Sequence, residues 1–323
     1  MKDARLIVIL IAVTGIGALA HLLAGGFPLR EWLNGDEAAR LILIELRLPR
    51  LVLALTIGAG LGLTGAVLQG YFRNPLADPG IVGVTSSAGL GAVIALYFGL
   101  GGFLGIGVPL FAILGAGLGA ATLLVVAGGR ASATTLILSG VAVAALANSL
   151  TALMMNLSPN PWALSEIAYW LMGSLSNSSW SEVRVALPLI GLGALVLALT
   201  ARSLDALTLG EETARSLGVS LPRLRIVVVA GAGLAVGGGV AVAGAIGFVG
   251  LVAPHLLRRF VDHQPSRLLL PSALGGAALL TGADALIRLL SGQGTPLYLG
   301  VATALLGVPF FFWLVRTQTR GPA

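Results

Sequence analysis

The chain has 323 residues, 57% of them apolar and only 10% charged, with 46 glycines, no cysteine and a net charge of +6. So low a charged fraction, against roughly one quarter in a soluble domain, excludes an ordinary soluble fold, and the missing cysteines exclude disulfides, thiolate metal sites and cysteine nucleophiles. Lys2 is the sole lysine, so there is no Walker A loop, whose Gly-Lys-Ser/Thr holds phosphates.

The composition is that of a polytopic membrane protein. A helix crossing hydrocarbon needs about 20 mainly apolar residues, and the long unbroken runs lack the alternation of barrel strands. The expected fold is all-α. The first run is 6–24; Ala18-Leu19-Ala20 imitates a signal-peptidase site, but Leu22, Leu23 and Ala24 continue the run, which favours retention. A polar connection over 25–50 follows, and then spans at about 51–70, 81–99, 106–127 and 135–156. A break at 157–183 holds Trp162, Tyr169, Trp170 and Trp180, as interfacial aromatics do. A sixth span at 184–201 precedes the longest polar stretch, 202–225, which is too polar to cross but has Leu207, Leu209, Ala214 and Leu217 to give short helices an apolar side. Spans at 226–244, 246–261, 270–290 and 298–315 bring the expectation to ten.

Ten spans put both ends on one side. With both termini cytoplasmic, most of the 19 basic residues fall inside, and only Arg30, Arg40, Arg47, Arg50, Arg184 and Arg288 fall outside. Their scatter between apolar runs reads as topology and not as a nucleic-acid patch. Within the stretch 47–83, Leu48, Pro49, Arg50 and Leu51 recur as Leu221, Pro222, Arg223 and Leu224. Gly58, Ala59, Gly60, Leu61 and Gly65 recur at the same offset as Gly231, Ala232, Gly233, Leu234 and Gly238. The copies begin with spans two and seven, so they are expected to be inverted, with a pathway between halves at about 47–156 and 220–315 in one transmembrane domain. Gly58 with Gly62, and Gly115 with Gly119, have the spacing of close helix contacts.

At RLPR, GAVLQGYFRNPLADPGIVG, YWLMGSLSNSSW, LTLGEETARSLGV, GAIGFVGLVAPHLLRRF and LGVPFFFWLV, the sequence resembles the iron-siderophore, haem and vitamin B12 permease family of bacterial ABC importers. The likeness runs from about Arg47 to the C-terminus. It implies a type II importer permease of ten helices in the bacterial cytoplasmic membrane, paired as a homodimer. Its partners would be two ATPase subunits, which use ATP and Mg, and a substrate-binding protein; the cargo would be a large metal chelate, a ferric siderophore, haem or cobalamin, with an iron chelate preferred. The chain itself would bind no cofactor and no metal.

The resemblance also assigns roles. The stretch 202–225 becomes the ATPase-coupling element, with Leu209, Gly210, Glu211, Glu212, Ala214, Arg215, Leu217 and Gly218. Arg47, Arg50 and Arg288 become docking points for acidic groups of the binding protein, against a plain reading as snorkelling arginines or, for Arg288, as the partner of Asp284 one turn earlier. Asn74, Leu76, Ala133 and Thr134 become a cytoplasmic gate; Ala133 replaces an expected hydroxyl. Gln69, Asn148 and Asn156 read as interhelical hydrogen-bonding groups. Where relatives carry Glu before the last span, this chain has Thr295. The rival reading is an ion-coupled secondary transporter working through Asp284 and His255.

Overall fold

A computed structural model describes residues 2–129, 131–291 and 297–319; Thr295, Arg130 and Arg320 lie outside the described residues. Among those described, the regular structure is entirely helical. In chain order the helices are α1 (Lys2–Leu23), the short α2 (Leu29–Leu33) and α3 (Glu37–Leu41), α4 (Leu48–Phe72), α5 (Val84–Tyr97), α6 (Gly107–Ala127), α7 (Ala133–Asn156), α8 (Pro161–Leu171), α9 (Trp180–Ala198), α10 (Ala201–Leu207), α11 (Glu211–Ser216), α12 (Leu221–Ala243), α13 (Val249–Arg258), α14 (Pro265–Ser291) and α15 (Leu299–Thr319). A π-helical stretch, Ile42–Arg47, joins α3 to α4 without a break.

A helix lies at each of the ten expected positions, but among the described residues seven helical stretches are long and apolar enough to cross a membrane alone. The expected spans 81–99 and 246–261 are shorter than anticipated. At 1.5 Å per residue α5 reaches about 21 Å and α13 about 15 Å, against roughly 30 Å of hydrocarbon. Both begin within the bundle, after non-helical connections. A 3-10 turn, Pro79–Val82, and Gly83 at φ +77° lead into α5; Gly244 at φ +69° and Phe248 at φ +67° lead into α13. The two entrances touch, and a Cβ added to Gly250 would stand 2.7 Å from the Pro79 ring.

Helix α4 is the centre of the packing, and its glycines explain why. A Cβ at Gly58 would lie 2.4 Å from the Gly276 carbonyl oxygen, one at Gly62 2.0 Å from that of Ser272, and one at Gly65 1.8 Å from that of Gly250. Only hydrogen at these positions lets the backbones of α14 and α13 come this close. Gly115 and Gly119 seat α6 in the same way against Ser87 of α5. Ile57 meets Gly239, and Gly60 lies beside Ala235. Helices α4 and α12, which carry the matching LPRL and glycine segments, therefore run antiparallel and start at opposite ends of the bundle.

Candidate functional site

At the end where α4 starts, charged side chains converge on Asp284, which is fully buried. Arg50 donates to it through Nε and Nη2 at 2.7 and 2.8 Å, and His21 Nε2 lies 2.7 Å from its Oδ2. Arg288 faces the other way, donating to the His21 carbonyl at 2.9 Å. Arg47, 6% exposed, donates to the carbonyls of Leu22, Ala24 and Gly25 and covers the Phe27 ring at 4.8 Å. The last carbonyls of a helix have no partner within it, so Arg47 and Arg288 complete the end of α1 and fasten it to α4 and α14. One expectation is corrected here: Asp284 pairs with Arg50 and His21, not with Arg288, because Arg288 is drawn to a free helix-end carbonyl. The guanidinium groups of Arg47 and Arg50 are engaged by groups of this chain. His21, the third member of this cluster, was missed by sequence reasoning; its signal was a lone imidazole in an apolar run.

The opposite end carries the residues expected to couple and to gate. Gly210 at φ +99° and Gly218 at φ +88° bracket α11. Ala214 is buried beneath it, while Leu209 and Leu217 are 64% and 63% exposed. Glu211 and Arg215 form a loose intrahelical pair at 3.8 Å, and Glu212 is exposed. Helix α10 is anchored by Asp205, which accepts from the Ser266 backbone N–H at 2.9 Å and from Gln264 Nε2 at 2.8 Å. Burial alone would raise the Asp205 carboxyl, but the hydrogen bonds from Ser266 and Gln264 and the Arg267 charge hold it below the usual carboxylate range.

Helix α4 stops at Phe72 with Arg73 left-handed at φ +49°. Asn74 Oδ1 then accepts from the Leu76 N–H at 2.9 Å, making a local turn ahead of Pro79. Ala133 starts α7 beside an exposed Thr134. Gln69 works between helices, as its polarity suggests: its Nε2 faces the Gly250 and Leu251 carbonyls and its Oε1 accepts from Arg258 at 2.5 Å. Asn148 differs. It is exposed and lines a cavity of about 260 Å³ with Thr85, Ser86, Thr151 and Met155.

That cavity joins two others at Ala245. One, of about 560 Å³, runs between Leu171, Met172 and the Val301, Leu305 and Val308 face of α15. The other, of about 120 Å³, lies between Asp78, Pro79, Thr85 and Phe248, at the entrances of α5 and α13. All three are lined in part by Ala245 and are apolar apart from a few hydroxyls, Asn148 and Asp78, whose carboxylate caps the Gly80 N–H at 2.8 Å. Among the described residues no group of three His, Cys, Asp or Glu side chains is arranged to hold a metal ion. His255 packs edge-on against Phe310 at 5.7 Å, far along the chain from the Asp284 cluster.

Residues 6–317 match the family model of the FecCD transport family. The chain is 44% identical, over 87% of its length and 75% of the relative's, to the cobalamin import system permease protein of Halobacterium salinarum. It is 40% identical to the Fe(3+) dicitrate transport system permease protein of Escherichia coli, covering 98% of this chain and 99% of that one. It is also 35% identical to the hemin transport system permease protein of Yersinia pestis, over 97% and 94% of the two chains. A solved inward-facing structure of a metal-chelate type ABC transporter superposes with a TM-score of 0.87 at 33% identity, covering 97% of this chain and 99% of that one.

Proposed function

Because the chain belongs to the FecCD transport family, and so is a multi-pass permease component of an ABC importer with no ATP site of its own, we propose that two copies pair across the concave face around Ala245 and carry a bulky metal chelate between them. The observation that carries this reading is that face: three adjoining cavities, lined by α5, α7, α13 and α15, with few polar groups to retain a cargo. Passage requires that binding be weak enough to release, and a mainly apolar wall suits a chelate whose own ligands already satisfy its metal. Exposed Leu305, Leu306, Phe312 and Trp313 on α15 supply the apolar rim for the second copy.

The partner ATPase subunits take α11, with Leu209 and Leu217 as the apolar contacts and Glu211, Glu212 and Arg215 around them. They bind ATP and Mg. A substrate-binding protein docks at the opposite, outer end, where Arg47, Arg50 and Arg288 act by holding the surface rigid, since their guanidinium groups are engaged within it. Asn74, Leu76, Ala133 and Thr134 close the inner end, and both termini are cytoplasmic in the bacterial inner membrane. Ion coupling through Asp284 and His255 is disfavoured by the geometry: Asp284 is fully buried and held by Arg50 and His21, and His255 faces a phenyl ring.

The test is reconstitution with the cognate ATPase and binding protein in liposomes. ATP-dependent uptake of one of three ligands, ferric dicitrate, haemin or cobalamin, is expected, unaffected by a protonophore. Failure of a gently solubilised tagged chain to bring down a Walker-motif ATPase overturns the reading.

A further inference from the structure

The start of α12 carries a guanidinium whose surroundings the permease role alone does not require. Arg225, 5% exposed, lies one turn into the helix that follows α11. Its Nη1 donates to the Gly128 carbonyl and its Nη2 to the Ala131 carbonyl. Gly128 caps the end of α6, and Ala131 stands two residues before Ala133 and three before Thr134. A cavity of about 390 Å³ surrounds the guanidinium, lined by Leu207, Glu211 and Arg215 on one side and Tyr71 and Ala133 on the other. Tyr71, in the last turn of α4 and three residues before Asn74, lines the same cavity.

One side chain thus holds the connection that leads into Ala133 and Thr134, one of the two pairs assigned to the inner gate, from the last residue of the stretch assigned to coupling. These contacts are charge-assisted and directional. A planar fork that reaches two carbonyls fixes their separation, which a point charge cannot do. The cavity matters as well: Arg225 shares it with Leu207, Glu211 and Arg215 of the coupling stretch and with Ala133, so the guanidinium stands between the two. We propose that Arg225 is the positioning residue through which displacement of α10–α11 moves the start of α7 at Ala133 and Thr134, so that the state of the ATPase subunits sets the state of the inner gate. This rests on the permease reading above.

The absence of cysteine permits a direct test. Thr134→Cys places one thiol on the exposed start of α7, and its reaction with a membrane-impermeant maleimide is timed in the assembled complex, with and without ATP and vanadate. In the parent, ATP with vanadate changes the labelling rate. With Arg225→Gln added, that change shrinks about tenfold, the effect of losing bonds from a charged donor to two acceptors, while the partner subunits still hydrolyse ATP. Arg225→Lys keeps charge and bulk without the fork and gives an intermediate response, which serves if the glutamine variant does not fold. Lysine and glutamine variants that both respond like the parent overturn the inference and leave the permease reading intact. A parent complex whose labelling does not respond to ATP overturns the inference as well, while loss of the ATPase from the complex is the separate outcome that marks failure of the partner reading.

Discussion

Asp284 is the costliest residue in the molecule to misplace. A carboxylate at 0% exposure among apolar helices persists only if its charge is met, and Arg50 and His21 meet it across sequence separations of 234 and 263. Removing one partner of such a pair leaves the other charge buried alone, at a cost on the order of 3 kcal/mol. Asp284→Asn is therefore expected to lower the melting temperature in detergent markedly, whereas Arg30→Gln, at an exposed position, leaves it unchanged; equal melting of the two variants contradicts the assignment. Asp205 makes a prediction about pH. Its folded-state pKa is depressed, so its contribution is complete above the unfolded value and is lost as pH falls through the folded one. Acidification below the usual carboxylate range should speed hydrogen exchange in α10, and Asp205→Asn should exchange faster already at neutral pH and change less on acidification.

At the scale of elements, close glycine contacts and polar fastenings divide the labour. Without a hydrophobic drive between helix and lipid, α4 holds α14 and α13 through backbone approach, and α1 is held to α14 by the His21–Asp284 contact and by Thr14, which reaches the Leu274 carbonyl at 3.3 Å. Gly62→Ala puts a methyl 2.0 Å from a backbone oxygen that has no side-chain freedom to yield; overpacking of this kind costs about 1–3 kcal/mol and should appear as reduced thermal stability and yield. Gly15→Ala, where a Cβ meets nothing within 4 Å, is the control. On either side of α11, Leu209→Asp together with Leu217→Asp leaves the buried Ala214 contact untouched. The pair of changes is expected to abolish co-purification of the ATPase while the chain still elutes as folded protein. These glycine contacts were legible in advance, since the spacing of Gly58 with Gly62 and of Gly115 with Gly119 is a one-dimensional pattern. The ion-pair partners were not: Arg288 stands one turn from Asp284, but its side chain goes to the His21 carbonyl.

For the molecule as a whole, opposite ends are built by one device used twice. Arg47, at the start of α4, collects the carbonyls that end α1; Arg225, in the first turns of α12, collects those that follow α6. Because α4 and α12 are antiparallel, the two clamps sit at opposite ends, one fastening the start of the chain and the other facing the coupling stretch. A permease moved by its partners needs such an asymmetry, with one end held and the other responsive. If so, Arg47→Gln and Arg225→Gln both lower stability, since each strips a charged donor from helix-end carbonyls, but only Arg225→Gln also blunts the response of the inner gate to ATP, as melting and thiol labelling of the same pair of variants will record.

The sequence by itself determined the membrane class, the helical fold, the ten helix positions, the lack of an ATP site and the antiparallel relation of the two matching segments. Each of these follows from composition, run length or parity, which are properties of a string. Tertiary structure alone decided that α5 and α13 begin inside the bundle, that Arg47 and Arg50 turn inward, that Asn148 faces a cavity, and that Arg225 binds the Gly128 and Ala131 carbonyls. These depend on which helices become neighbours, and a side chain's charge, reach and rotamer leave that choice open until packing brings one acceptor within hydrogen-bonding distance.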